Sequence, residues 1–112
     1  MIRKILLLSA LALWAGSAVA AEPIEGDWKT EAGDTARIAP CTQGFCITLV
    51  NGKYAGKEIG QLKGNGGLYK GQVTKPQNNK TYEGSAAVTG NKLKLQGCAL
   101  KIFCESQVWT RQ

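Results

Sequence analysis

The sequence predicts an all-β protein, a small up-and-down antiparallel β-barrel of about eight strands. Three observations carry this expectation. Apolar residues recur at every second position and not at the 3.6-residue spacing of a helix. Turn-forming clusters rich in Gly, Asn, Asp and Pro separate the alternating runs at short intervals. Between residues 21 and 112, no longer window carries a convincing apolar stripe at helical spacing.

The segment ahead of the strands, MIRKILLLSALALWAGSAVA, has the anatomy of a secretory signal peptide. Arg3 and Lys4 form its basic start, Ile5 to Ala15 its apolar run, and Ala18-Val19-Ala20 an A-x-A cleavage site. The apolar run is too short to span a bilayer as a helix, and no second run follows it. Cleavage after Ala20 is expected to leave residues 21–112 as one soluble, monomeric domain without a membrane span, periplasmic or secreted. A domain of that size gains only modest stability from its core. Two of the 14 basic residues leave with the leader, so 12 face 8 acids and the net charge becomes +4. Lys53, Lys57, Lys63, Lys70, Lys75 and Lys80 are scattered singly, as in solvated turns and protected sheet edges. This is not the clustered basic face of a nucleic-acid binder. A weak attraction to an anionic surface or an acidic partner fits it better.

The strands are expected near residues 25–30, 34–40, 45–50, 57–63, 68–75, 80–89, 92–98 and 105–111. In TARIA, Ala36 and Ile38 share a face opposite Arg37; in FCITLV, Phe45, Ile47 and Leu49 share one. YKGQVTK sets Tyr69, Gly71 and Val73 against Lys70, Gln72 and Thr74. TYEGSAAV aligns Tyr82, Gly84, Ala86 and Val88, and KLKLQ alternates Leu93 and Leu95 with lysines. EAGD, CTQG, NGKYAG, KGNGG, KPQNN, TGN and ALKI read as the turns between runs. Connections this short make sequence neighbours pair antiparallel, and closure of the meander removes its edges. Gly60, Gly71, Gly84 and Gly97 fall inside strands, where glycine permits tight coiling. KGNGGLYKG lacks the Gly-Lys-Ser/Thr and the helix of a phosphate-binding loop, so it reads as a hairpin turn.

Four cysteines, Cys41, Cys46, Cys98 and Cys104, lie in the exported part. An even count in a small exported domain favours disulfides. Zinc is a poorer fit: the chain has no histidine, and neither spacing is C-x2-C. Thiol redox chemistry wants a C-x-x-C at a helix start, which is absent from the sequence. Of the three possible pairings, Cys41–Cys46 and Cys98–Cys104 are favoured, because each pair flanks one turn.

Catalysis is not expected. Without histidine the commonest general base is missing, and bridged cysteines leave no thiol nucleophile. Glu25, Asp27, Glu31 and Asp34 gather around the first hairpin, but alternation makes most of the carboxylates solvated. No metal or cofactor is expected.

Three stretches, GDWKTEAGDTARIAPCTQGFC, YKGQVTKPQNNKTYEGSAAVTGNKLKLQGCA and FCESQVWTR, resemble the exported bacterial domain-of-unknown-function family 2147. The most specific elements are Gly26-x-Trp28, Pro40-Cys41-x4-Cys46, Lys80-Thr81-Tyr82, Gly97-Cys98 and Trp109-Thr110-Arg111. The resemblance implies a lipocalin-like fold with no established shared activity. It implies structural closure by Gly26, Trp28, Trp109 and Arg111, with a first-strand Gly-x-Trp closing the barrel floor and Arg111 lying over an indole. The chain departs from the family pattern after the second cysteine's strand, where VNGKYAGKEIG replaces a longer segment rich in Asp, Asn, Pro and Arg.

Two functions follow. The first is a binding module that holds a small apolar or amphipathic ligand in the barrel mouth, with Phe45, Tyr54, Tyr69 and Tyr82 as candidate lining residues. The second is an envelope protein-interaction or inhibitor module with a filled barrel, anchored by a tip of Tyr54 flanked by Lys53 and Lys57. An open apolar cavity favours the first and a filled interior the second.

Overall fold

The computed structural model describes residues 21–100 and 102–112. The signal-peptide reading of residues 1–20, and Lys101 in the last turn, lie outside the described residues. Eight strands follow one another: β1 (Gly26–Lys29), β2 (Thr35–Cys41), β3 (Gly44–Leu49), β4 (Glu58–Asn65), β5 (Leu68–Lys75), β6 (Lys80–Thr89), β7 (Lys92–Ala99) and β8 (Phe103–Arg111). Each pairs antiparallel with the next, and β8 returns to β1, so the sheet is a closed up-and-down barrel. The all-β expectation holds, and the described residues contain no helix. β4 outruns its expected end because its ladder with β5 continues to Asn65↔Leu68. β8 begins earlier than expected because Cys98↔Cys104 and Ala99↔Phe103 prolong its pairing with β7.

Alternation decides what faces inward. Ala36 and Ile38, Ile47 and Leu49, Tyr69 and Val73, and Leu93 are buried, as the period-two pattern of their strands requires. Trp28, Ala36, Ile38, Ile47, Leu62, Tyr69 and Leu93 pack one end of the barrel solid, and Leu49, Val73 and Trp109 extend toward the other. Gly71, Gly84 and Gly97 stand side by side across β5, β6 and β7. A methyl group at Gly71 would collide with the Gln61 carbonyl of β4. The missing side chain lets the sheet turn inward sharply there, and so allows a small circumference.

The meander gives the barrel two unlike ends. The β1–β2, β3–β4, β5–β6 and β7–β8 turns lie at one end. The segment before β1 and the other three turns lie at the opposite end. The seam is short: β1 has 4 residues, β8 has 9, and they pair only at Trp28↔Arg111 and Lys29↔Thr110. Beyond the seam, the Glu31 carboxylate accepts the Val108 backbone N–H at 2.7 Å, where a neighbouring strand's carbonyl would otherwise sit.

Candidate functional site

One end of the barrel is sealed. Ile24 plugs it from below, fully buried, and its carbonyl accepts the Trp28 indole N–H at 2.9 Å. The Arg111 guanidinium lies 4.2 Å from the centre of the Trp28 ring. It also donates to the carbonyls of Glu25 (3.1 Å) and Pro23 (2.6 Å). Gly26 is required here: its φ is +126°, and a Cβ on it would press to 3.3 Å from Arg111 Nη1. A carboxylate oxygen of Glu22 accepts the Tyr69 hydroxyl at 2.8 Å and the Gly66 N–H at 2.9 Å. Burial, then the bond to Glu22, pushes the Tyr69 phenol above its ordinary pKa. Phe45 meets Tyr69 edge to face, with centroids 5.6 Å apart.

The other end is open. A cavity of about 630 Å³ enters the barrel there. Its apolar wall is Leu49, Ile59, Val73, Tyr82, Leu95 and Trp109. Gly97 supplies no side chain, and Val73 packs into the space so left, its Cγ2 3.0 Å from where a Cβ would stand. The Trp109 indole N–H donates to Gln107 Oε1 at 2.8 Å, so its polar edge is satisfied within the wall. Nearer the rim, Lys75 of β5 and Glu105 of β8 meet at 3.1 Å. These strands are not neighbours, so the ion pair reaches over β6 and β7 across the mouth. Its side chains are 40% and 77% exposed, which keeps the attraction weak and salt-sensitive. The arrangement can receive an apolar body at depth and offers both signs of charge at the rim.

The candidate residues divide between the two ends. Tyr54 and Tyr82 line the cavity. Phe45 and Tyr69 do not: their inward positions on β3 and β5 lie toward the sealed end, in the core or packed against it. Tyr54 is no projecting tip. Its ring packs against the core, with Lys53 Nζ 5.6 Å from its centre. Gly26, Trp28 and Arg111 belong to the floor, whereas Trp109 joins the core to the cavity wall. Both disulfides are formed, Cys41–Cys46 at the sealed end and Cys98–Cys104 at the open one, with Cα–Cα distances of 5.8 and 4.0 Å. They point to an oxidising, extracellular environment.

The acids of the first hairpin do not converge. Asp27 is held by Arg37 at 2.8 Å, and that hydrogen bond draws its carboxyl below the usual range. Glu31 is engaged by Val108. The Lys75–Glu105 pair escaped the sequence reading. Alternation alone puts Glu105 on the face of Trp109, but nothing in the sequence pairs it with Lys75 on a strand that β8 does not adjoin.

Fold and site together define a small closed β-barrel, sealed at one end and hollow at the other. The profile of a bacterial family, described as an uncharacterized protein conserved in bacteria (DUF2147), matches residues 51–111, and the chain belongs to that family. The matched span runs from the β3–β4 turn to Arg111. It therefore includes the cavity's Trp109 and the Cys98–Cys104 pair but not Trp28 or Cys41–Cys46. No curated protein and no solved structure matches the chain.

Proposed function

We propose that this protein is an exported, non-enzymatic binding barrel that holds one small apolar or amphipathic molecule at its open end. The observation that carries the reading is the cavity of about 630 Å³ with an apolar wall. Its size falls inside the roughly 300–1,000 Å³ of small-molecule sites. The interaction-module alternative wants a filled interior, and the open cavity argues against it. Export follows from the leader-like segment at residues 1–20 and is supported by the two disulfides. Native mass spectrometry of protein purified from its own envelope should show a co-purifying small mass. Titration with N-phenylnaphthylamine should give saturable fluorescence enhancement, and Ala99→Trp, which fills the cavity from its rim, should abolish it. Equal enhancement with a normally folded Ala99→Trp protein would sink the cavity reading.

A further inference from the structure

The β7–β8 turn stands beside the cavity, and its apolar side chains are exposed. Leu100 is 81% exposed, Ile102 73% and Phe103 67%. Cys98–Cys104 bridges the paired strand ends directly beneath the turn. Leu100 is misplaced by two independent standards. It is an exposed large hydrophobe, and its φ is +55°, a left-handed backbone that glycine or asparagine adopts at much less cost. A residue that serves neither the backbone nor solvation is a mark of function.

We propose that this tip inserts into a phospholipid surface and seats the open mouth against the membrane. Exposed area argues against a second copy of the chain as the occupant. The three side chains present on the order of 400 Å² together, whereas a stable dimer buries roughly 1,200–2,000 Å². A narrow exposed tip suits a deformable apolar medium better than a flat protein face. Charge is complementary to an anionic bilayer, since residues 21–112 carry 12 basic residues against 8 acids. Lys53 and Lys80 stand exposed at the same end as the tip. Ile102 and Phe103 also line the cavity, so one hairpin would touch both lipid and ligand. The purpose of docking rests on the binding reading, because an apolar ligand is loaded most easily where it never crosses water; the docking itself does not rest on it.

Flotation with mixed vesicles of phosphatidylethanolamine and phosphatidylglycerol tests the tip, and N-phenylnaphthylamine titration without vesicles tests the cavity. The protein should float. Leu100→Asn relieves the backbone while removing the apolar group, so it should melt no lower than the parent, bind the probe equally and partition at least about tenfold less. In a Leu100→Trp variant, brominated lipids should quench the added fluorescence. Failure of the parent to float overturns the proposal. So does equal flotation of Leu100→Asn, which would assign binding to the lysines alone. A dimer in sedimentation that disappears in Leu100→Asn, without flotation of the parent, overturns it in favour of a second copy. Flotation without probe binding keeps the tip and removes the cavity reading.

Discussion

Arg111 and Trp28 face each other across the seam that closes the barrel, guanidinium over indole at 4.2 Å. The same guanidinium ties down the carbonyls of Pro23 and Glu25, so one side chain joins the last strand, the first strand and the plug. Trp28→Ala should cost about 3–5 kcal/mol, because it empties a fully buried site. Arg111→Ala should cost about 2–4 kcal/mol through the lost cation–π contact and two hydrogen bonds. Arg111→Lys should fall between parent and alanine, since an ammonium cannot stack flat on the ring. Urea melts of the three variants check this, and an Arg111→Ala protein that melts like the parent would make Trp28 an ordinary core residue.

The glycine row gives a second expectation. Gly71→Ala pushes a methyl group into the Gln61 carbonyl of the adjoining strand, which cannot yield without breaking the ladder. The loss should exceed about 2 kcal/mol. Gly90→Ala meets no neighbouring atom and should lose less, about 1 kcal/mol, from its left-handed φ of +59° alone. Denaturation midpoints of the two variants should rank in that order.

Tyr69 sets a stability limit at high pH. Its folded pKa is raised, by burial first and by Glu22 second. The stabilisation is therefore whole below the unfolded phenol value near 10 and is lost as pH climbs through the folded value. Unfolding free energy should be flat to about pH 9 and then decline. Tyr69→Phe should be less stable at neutral pH, having lost its bond to Glu22, yet decline less steeply in alkali. Parallel curves for the two proteins would remove Tyr69 as the cause.

The ion pair across the mouth should matter to ligand more than to fold. Glu105→Gln should change stability by less than about 1 kcal/mol, because both partners are substantially exposed. It also releases Lys75 from its carboxylate at the rim of the cavity. Laurate should then bind several-fold tighter than to the parent, while its methyl ester binds alike to both. Competition against N-phenylnaphthylamine measures both affinities, and an equal gain for the ester would exclude a charge effect.

The strands were legible because their signal is local. Ala36 with Ile38, or Leu93 with Leu95, announce one face of one strand without knowledge of the rest. The disulfides were legible for the same reason, each closing over a single turn. The division of aromatics between the two ends was not. Phe45, Tyr54, Tyr69 and Tyr82 all alternate inward or sit in turns, and only the register around the closed barrel separates the floor from the mouth. The Lys75–Glu105 pair was hidden further still, since it joins strands 30 positions apart that never hydrogen-bond to each other. The exposed tip reads in the sequence only as a turn, because the left-handed Leu100 backbone follows from no residue pattern.

The Glu31 contact has a consequence for how such a barrel survives at high concentration. Since β8 outruns β1, part of its outer backbone has no strand beside it. A bare strand border of that kind is a template on which another molecule can crystallise its own extended segment, and fibrils grow by repetition of that step. The Glu31 side chain occupies the Val108 N–H in the middle of the border and brings a hydrated negative charge with it. An incoming backbone would have to expel a bound carboxylate before making its first bond. One glutamate in the first turn thus covers a backbone donor of the last strand that another extended segment would otherwise use.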